Sequence, residues 1–356
     1  MKKRLEKLRQ TLKNNSIDAV FIKSPANRRY LSGFTGTAGA LFISQTKACL
    51  ITDFRYIQQA QKQCREFEII EQTASIFASL GKLVKETNAH LLGFEKEYLT
   101  YADYELLEKN TEAELRAVEG LVEEIRLFKD EEELSLLKEA ASIADKAFDH
   151  ITKFIKPGLK EIEVSNELEF FMRKQGAVSS SFDIIVASGW RSALPHGVAS
   201  NKAIESGELV TLDFGAYYKG YCSDITRTVA VGEPSGELKK IYQTVYEAQL
   251  KAVAEIKPGM SGVEADAIAR EYIKKQGYGN YFGHGLGHGL GMEVHEGPRL
   301  SPKGNRKLEP GMVVTVEPGV YVPETGGTRI EDDIVITKQG NEKLTHSPKE
   351  IMIVGE

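Results

Sequence analysis

The sequence predicts two domains of mixed helix and strand: an N-terminal α/β domain at residues 1–126, and an α+β domain at residues 127–356 built from two related halves. Three observations support this prediction. Helical and strand-like segments alternate up to about residue 125, the stretch 126–133 carries four acidic and two basic residues, and the remainder contains an internal repeat. A length of 356 residues also fits two domains of about 150 residues each.

In the first domain, the spacing of apolar residues distinguishes helices from strands. Leu5, Leu8 and Leu12 recur at helical spacing, and a further helix is expected at 56–64. Short apolar runs predict five strands, the first of them ended by Pro25, at 17–22, 40–43, 48–51, 67–70 and 91–94.

The second domain repeats its own pattern. Residues 155–177 (IKPGLKEIEVSNELEFFMRKQGA) and 256–278 (IKPGMSGVEADAIAREYIKKQGY) share eight of 23 positions at a constant offset of 101. Residues 207–217 (GELVTLDFGAY) and 311–321 (GMVVTVEPGVY) match at an offset of 104. Each half is therefore predicted as helix, Pro-Gly turn, helix and strands. The two halves are expected to pack about a pseudo-twofold axis with a cleft between them, a common place for a site.

The composition argues against several other classes of protein. A net charge of -5 and a pI near 5.9 disfavour a general nucleic-acid binder, and no apolar run reaches the roughly 18 residues of a membrane span. The charged N-terminal segment 1–7 is unlike a signal peptide, and three scattered cysteines are too few for a disulfide framework. We therefore expect a cytoplasmic protein.

The first half places two acids on either side of a tight turn. Asp213 and Asp224 flank the turn at 218–220, and a hairpin centred between Tyr218 and Lys219 would place them directly opposite each other. The Cβ atoms of opposed residues lie roughly 5 Å apart. Two carboxylates at that distance repel each other, so a bound cation is the expected compensation.

The second half supplies two more acids at related positions. Glu317 repeats Asp213, and Glu331 lies on the next predicted strand, 328–336, where Asp224 would fall. Acids inside apolar runs are expected to be buried, and buried acids need partners. Four converging carboxylates favour a metal site, with a buried salt-bridge network as the alternative.

Histidines close to these acids strengthen the metal hypothesis. His284 and His288 lie in GHGLGHGLG at 283–291, whose five glycines argue against a regular helix. The glycines suggest backbone that passes close to a ligand, or else a flexible loop. Their even spacing cannot satisfy GxGxxG, so a dinucleotide site is not predicted. One histidine is expected as a metal ligand, and His284 is assigned to loop structure or to support of the ligands.

Six motifs in order identify a family that this chain resembles: LDFG with Asp213, SDITRT with Asp224, GHGLGH with His288, VHEGP with His295, TVEPG with Glu317 and TRIEDD with Glu331. The chain resembles the creatinase/prolidase/methionine aminopeptidase superfamily, the "pita-bread" metallopeptidases, and within it the short Xaa-Pro dipeptidases of bacteria and archaea. The resemblance covers essentially the whole chain. YLSGF at 30–34 and TDFRY at 52–56 fit the creatinase-like N-terminal domain, which methionine aminopeptidases lack.

The resemblance implies a site for two divalent metal ions. Asp213 and Asp224 would bind one ion, His288 and Glu317 the other, and Asp224 and Glu331 would bridge them. The family implies Mn²⁺ or Co²⁺, and the oxygen-rich ligand set also admits zinc or iron. A water held between two such ions is expected to ionise near neutral pH and to attack the scissile carbonyl as hydroxide.

A glutamate, two histidines and two arginines are also expected to take part in that reaction. Glu317 would accept the proton of the water, and His196 and His295, which lie 99 positions apart, would face each other across the cleft and donate hydrogen bonds to the carbonyl oxygen. Arg299 is implied to bind the C-terminal carboxylate of the substrate, which suits a guanidinium fork. Arg329 precedes Glu331 by two residues, so on a strand the two side chains share a face. Arg329 is expected to pair with Glu331 and so neutralise the carboxylates, or else to contact the substrate.

Three functions remain open from the sequence. The leading one is a prolidase, a dimetal hydrolase that cleaves Xaa-Pro dipeptides, and Arg299 and the short chain favour it. The alternative is an Xaa-Pro aminopeptidase that acts on longer peptides, and a third is a non-catalytic binding module. The expected partners are a small peptide and, as the resemblance implies, a second copy of the chain in a homodimer.

Overall fold

The structure, a computed structural model, describes residues 1–72 and 74–355, and it divides into two compact units, Met1–Arg126 and Leu127–Glu356. None of the helices in these described ranges combines the length and the apolar composition that a membrane crossing requires.

The first unit is an α/β domain. Its helices are α1 (Lys2–Asn14), α2 (Pro25–Ser32), α3 (Ile57–Gln63), α4 (Ile76–Glu86), α5 (Tyr101–Asn110) and α6 (Glu123–Arg126). Its strands are β1 (Ala19–Ile22), β2 (Ala40–Ser44), β3 (Ala48–Thr52), β4 (Glu68–Glu71), β5 (Leu91–Glu95) and β6 (Glu114–Val118). The strands form one mixed sheet in the order β4-β3-β2-β1-β5-β6.

The helices and strands predicted for this unit are present, and the difference between prediction and structure at the end of the first strand has a local cause. Pro25 ends the first predicted strand, but it also begins α2 at the first helical position, where its missing N–H costs nothing. The hydroxyl of Ser24 accepts a hydrogen bond from the backbone N–H of Asn27 and caps that helix, which the sequence analysis did not predict.

The second unit contains four helices and fourteen strands among its described residues. The helices are α7 (Glu131–Phe154), α8 (Glu161–Lys174), α9 (Gly236–Glu255) and α10 (Gly262–Lys275). The strands of the first half are β7 (Ser179–Ser180), β8 (Ile185–Ser188), β9 (Glu208–Phe214), β10 (Ala216–Tyr218), β11 (Tyr221–Cys222) and β12 (Ile225–Val231). The strands after α10 are β13 (Gly287–Gly289), β14 (Glu296–Leu300), β15 (Val313–Val316), β16 (Gly319–Val322), β17 (Gly326–Arg329), β18 (Asp332–Ile336), β19 (Asn341–Lys343) and β20 (Ile353–Val354).

The repeat in the sequence is a repeat in the fold. The bounds of α8 and α10 differ by 101 residues at both ends, which is the offset of the sequence match. Each helix pair packs on the strands of its own half, and each half has its own apolar core, centred on residues 143–231 in the first and 238–336 in the second. The predicted order of helix, turn, helix and strands is confirmed.

Hydrogen bonds to backbone carbonyl groups link the two halves of this unit near β12 and β17. The Thr228 hydroxyl donates to the carbonyl oxygen of Arg329 at 3.0 Å, and the N–H of Glu331 donates to the carbonyl oxygen of Thr226 at 3.0 Å. Residues of one half therefore fix the backbone of the other close to the acids identified in the sequence.

The glycine-rich segment 283–291 approaches other strands closely at its central glycines. A Cβ atom on Gly287 would lie 2.0 Å from the carbonyl oxygen of Thr315, and one on Gly289 would lie 1.8 Å from that of Gly297. These two glycines let β13 fit between β14 and β15.

We predict that Gly289→Ala destabilises the protein, because rigid backbone blocks the added methyl group. Overpacking of this kind costs about 1–3 kcal/mol, or a fall of about 2–12 °C in Tm for a unit of this size. Gly283→Ala is the matched control, since a Cβ there meets nothing within 4 Å. Thermal unfolding of both variants measures the difference, and equal Tm values would contradict the packing account.

Candidate metal centre

The four predicted acids lie at the ends or the breaks of strands in the second unit. Asp213 is the penultimate residue of β9, and Glu317 directly follows β15. Asp224 lies between β11 and β12, and Glu331 lies between β17 and β18. Strand ends leave side chains free to turn towards one another, so both halves present their acids at the same place.

The hairpin of the first half differs from its predicted register. Its two-residue turn is Lys219-Gly220, with φ of 47° and 96°, and it is centred one residue later than expected. Asp213 consequently pairs with Thr226, and it is not directly opposite Asp224. Because the shift moves the pairing by two residues, Asp224 remains a diagonal neighbour of Asp213 on the same face.

In the second half, the direct opposition does occur. Val316 pairs with Asp332 and Gly319 with Arg329, and this register brackets Glu317 and Glu331 as a facing pair. The predicted strand 328–336 is interrupted at Glu331, because the backbone N–H of Glu331 donates to the carbonyl oxygen of Thr226 in the first half.

Carboxylates and an imidazole meet at one point. One ligand atom each from Asp224, His288 and Glu331 all lie within 4.8 Å of one another. The Nε2 atom of His288 is 3.3 Å from Oε1 of Glu317 and 3.7 Å from Oδ2 of Asp224. The fifth predicted ligand, Asp213, lies close enough to exert an electrostatic influence on Asp224, Glu317 and Glu331.

Three oxygens in this cluster are buried and have no hydrogen-bond partner among the described residues: Oδ1 of Asp213, Oδ1 of Asp224 and Oε1 of Glu331. A buried charged oxygen without a partner is costly. Oxygen-rich sets of this kind suit hard divalent cations, so the residues present fit the metal ions that the resemblance implies.

The electrostatics of the acids also indicate that a positive charge belongs here. Burial, followed by repulsion from neighbouring carboxylates, raises the pKa of Asp224 and of Glu331 well above the ordinary value. Burial likewise raises the pKa of Glu317 to about 8. A cation would reverse these shifts by stabilising the ionised forms.

His288 is arranged as a neutral ligand. Burial lowers its pKa to about 4, so the imidazole is uncharged near pH 7. Its Nδ1 lies 3.1 Å from the carbonyl oxygen of Gly289 and donates to it, which leaves the Nε2 lone pair facing the carboxylates. Thr315 links His288 to Glu317, since its hydroxyl accepts a hydrogen bond from the backbone N–H of His288 and donates one to the Glu317 carboxylate.

Hydrogen bonds between the halves hold the acids in place. The Thr226 hydroxyl donates to Oε2 of Glu331 at 2.7 Å, and the carboxylate of Asp333 accepts from the backbone N–H of Asp224 at 3.0 Å. Neither Thr226 nor Asp333 was predicted as part of the site, although both belong to the quoted motifs SDITRT and TRIEDD.

Arg329 is buried and bound to protein groups. It donates to the carboxylate of Asp213, to the hydroxyl of Tyr321 at 2.7 Å and to the carbonyl oxygen of Pro195 at 3.1 Å. Its expected pairing with Glu331 is therefore wrong, because the observed carboxylate partner is Asp213. With three protein acceptors on its terminal nitrogens, Arg329 is placed to neutralise the cluster, and substrate contact is the less favoured of its two expected roles.

The hydroxyl of Tyr321 continues this chain of contacts to His284. Since Tyr321 accepts from Arg329, it donates its own proton to Nε2 of His284, 2.8 Å away. His284 is therefore connected to Arg329 through Tyr321. Tyr321 was missed as a site residue, although it matches Tyr217 in the internal repeat.

The cluster lines a cavity of about 570 Å³. His196, His295, Arg299 and Arg329 line it together with all five predicted ligands and with His284, Gly285 and Gly287 of the glycine-rich segment. The lining also includes residues that the sequence did not single out: Phe182, Asp183, Ile185, Pro195, Val198, Val294 and Ser301. The two histidines expected to face each other thus share one cavity.

Arg299 is the exposed cation of this cavity. Within the described ranges it forms no ion pair or side-chain hydrogen bond, so its guanidinium is available to a ligand. Arg191 does not line this cavity, and it is paired with the buried Glu161.

Comparison with known proteins supports the resemblance. Residues 135–338 match the metallopeptidase family M24, and residues 4–128 match the creatinase/prolidase N-terminal domain. The structure of an Xaa-Pro dipeptidase from Bacillus anthracis is 58% identical with a TM-score of 0.98, and 99% of each chain is covered.

Two further relatives are more distant. The Xaa-Pro dipeptidase of Pyrococcus furiosus is 42% identical over 99% of this chain and 100% of that protein. The structure of the X-Pro aminopeptidase from Thermotoga maritima is 41% identical with a TM-score of 0.90, covering 95% of this chain and 98% of that one. The predicted resemblance and the pita-bread fold are confirmed: the chain belongs to metallopeptidase family M24, a family of hydrolases that use divalent metal ions, and carries a creatinase/prolidase N-terminal domain.

Proposed function

We propose that this chain is a prolidase, a dimetal hydrolase that cleaves the Xaa-Pro bond of dipeptides. The observation that carries the proposal is the group of unpartnered buried carboxylate oxygens beside a neutral His288, in a cavity that also contains the unpaired Arg299. The two Xaa-Pro dipeptidases described above support the same assignment. Proline lacks an amide N–H, so its peptide bond calls for a dedicated enzyme.

Five residues would hold the metal ions: Asp213, Asp224, His288, Glu317 and Glu331. We propose Mn²⁺ as the ion, with Co²⁺, Zn²⁺ or iron as alternatives that the same ligands accept. When bound, such ions supply Lewis acidity, which polarises a carbonyl group and makes water more acidic.

The side chains of the protein supply the remaining chemistry. Glu317 accepts a proton at its carboxylate, for which its position beside His288 and Thr315 is suited. His196 and His295 donate hydrogen bonds to the carbonyl oxygen of the scissile bond as charge develops there. Burial lowers the pKa of His295, so this ring is a neutral donor at pH 7.

Arg299 would decide the length of the substrate. A dipeptide carries its C-terminal carboxylate one residue beyond the scissile bond, and a guanidinium can bind a carboxylate through two parallel hydrogen bonds. A longer peptide places an amide at that position and gains nothing from the charge. Because Arg299 has no partner among the described residues, it is free to make this contact.

Two other functions are distinguished by simple assays. The X-Pro aminopeptidase of Thermotoga maritima has a similar fold, so an aminopeptidase that cleaves Xaa-Pro-Xaa is the second candidate. A non-catalytic binding module is the third, and it would bind peptide without hydrolysis.

The assay offers Gly-Pro and a Gly-Pro-Xaa tripeptide to metal-stripped protein resupplied with Mn²⁺, Co²⁺ or Zn²⁺. Rapid turnover of Gly-Pro alone supports the prolidase, and turnover of neither substrate with any ion contradicts both enzymatic assignments.

The sequence predicts a cytoplasmic protein and the family resemblance implies a homodimer, and we include both in the proposal. Analytical ultracentrifugation of the metal-loaded protein measures the oligomeric state, and a monomer at micromolar concentration would contradict it.

We predict that Arg299→Ala selectively slows the cleavage of dipeptides. A hydrogen bond to a charged group contributes about 1.5–3 kcal/mol, so kcat/KM for Gly-Pro should fall roughly 10- to 150-fold. Turnover of a Gly-Pro-Xaa tripeptide should change little. The matched control is Lys303→Ala, an exposed cation beyond the cavity lining. An equal effect on both substrates, or on neither, would contradict the carboxylate contact and favour the aminopeptidase.

We predict that metal-stripped protein loses stability as the pH rises from 7 to 8. Burial raises the pKa of Glu317 from 4.5 to about 8, so in this window the folded state holds a proton that the unfolded state has released. The stability from this group is complete below pH 4.5 and lost as the pH rises through 8, at up to about 1.4 kcal/mol per pH unit. The low pKa values of His284 and His288 act only between pH 4 and 6.5.

The measurement is Tm at pH 7.0, 7.5 and 8.0 with chelator and with Mn²⁺. Metal loading should flatten the dependence, since the bound ions keep the carboxylates ionised, and Glu317→Gln should reduce it in the stripped protein. Identical slopes for the stripped and loaded wild-type protein would contradict the account.

A further inference from the structure

The charged side chains of the cavity leave one acid without a role. Five acids line it: Asp183, Asp213, Asp224, Glu317 and Glu331. Four of these form the cluster that fits metal ions, and Asp183 is not one of the predicted ligands. Asp183 is exposed, and among residues 1–72 and 74–355 it has no ion pair or hydrogen bond through its carboxylate.

The sheet register places Asp183 beside the first-half end of the cluster. Ile185 pairs directly with Asp213 across β8 and β9. Asp183 precedes Ile185 by two residues, just before β8 begins. Asp183, Ile185 and Asp213 all line the cavity, so Asp183 lies on the part of its wall that the first half forms.

The unpaired cation lies on the wall formed by the other half. Arg299 is on β14, whose neighbour β13 carries His288, and its charge acts on His288 and His295. The cavity therefore has an available anion on a segment of the first half and an available cation on a strand of the second half, and the cluster lies where the two halves meet. The electric field of this arrangement gives a bound molecule a preferred direction.

We propose that Asp183 binds the N-terminal ammonium group of the substrate. This inference rests on the proposed function, in which Arg299 binds the C-terminal carboxylate. A dipeptide is a zwitterion with its single peptide bond between the two charges, which matches the order Asp183, cluster, Arg299. The cluster carboxylates serve as metal ligands under the proposal, so Asp183 is the anion left for the ammonium group.

This contact would select peptides with a free N-terminus and fix their direction. A substrate bound in reverse would bring its carboxylate to Asp183 and its ammonium group to Arg299, and both contacts would be repulsive. Asp183 therefore acts on substrates of any length, whereas Arg299 acts only where the chain ends after proline.

The test compares Asp183→Asn with Glu205→Gln, a control that removes an exposed carboxylate outside the cavity lining. The substrates are Gly-Pro and a Gly-Pro-Xaa tripeptide, and acetyl-proline, which lacks the ammonium group, serves as a competitive inhibitor. Asp183→Asn should lower kcat/KM for both substrates by about 5- to 50-fold, mainly through KM. The inhibition constant of acetyl-proline should not change, and Glu205→Gln should behave like the wild type.

The possible failures are distinguishable. If the wild-type protein does not hydrolyse Gly-Pro, the proposed function fails whatever Asp183 does. If it does, and Asp183→Asn behaves like the control, the ammonium contact is wrong and the proposed function stands. A loss of affinity for acetyl-proline equal to that for Gly-Pro would show a general disturbance of the cavity, and it would also overturn the inference.

Discussion

The enclosure of four carboxylates in one small volume is the constraint on which the rest of the second unit depends. Like charges at such distances raise one another's pKa and destabilise the fold unless a cation offsets them. The scaffold offsets part of this repulsion with Arg329, which binds Asp213. The oxygens left without partners on Asp213, Asp224 and Glu331 mark the positive charge still required.

The internal repeat explains how a chain can bring these acids together. Each half contributes a hairpin whose strands break where an acid is needed, and the breaks are fixed by bonds from the other half, such as that from the Glu331 N–H to Thr226. A second buried network supports the same segment: Asp332, next to Glu331, accepts from Arg227 and Lys349. The positions of the ligands are therefore set by contacts between the halves, and neither half holds a complete site alone.

Much of this could be predicted from the sequence, because the repeat and the motifs can be recognised from residue order alone. The helix pairs and the acids follow from matches at offsets of 101 and 104 residues, and His288 follows from the family resemblance. The register of the first hairpin could not be predicted, because it depends on whether Lys219-Gly220 or the preceding pair forms the turn. A positive φ at Lys219 is not evident from its residue type. The partner of Arg329 was also mispredicted, because sequence spacing suggests Glu331 whereas the three-dimensional arrangement brings Asp213 from the other half. Asp183 was not identified, since a lone acid before a strand carries no pattern and its significance comes only from the cavity.

The central claim is that this cluster is a site for two metal ions, and anomalous X-ray scattering at the manganese absorption edge tests it most directly. Crystals of protein loaded with Mn²⁺ should show two peaks per chain, roughly 3.5–4 Å apart. Both peaks should lie among Asp213, Asp224, His288, Glu317 and Glu331. The absence of manganese from these residues in fully loaded protein, or its binding elsewhere on the chain, would contradict the account.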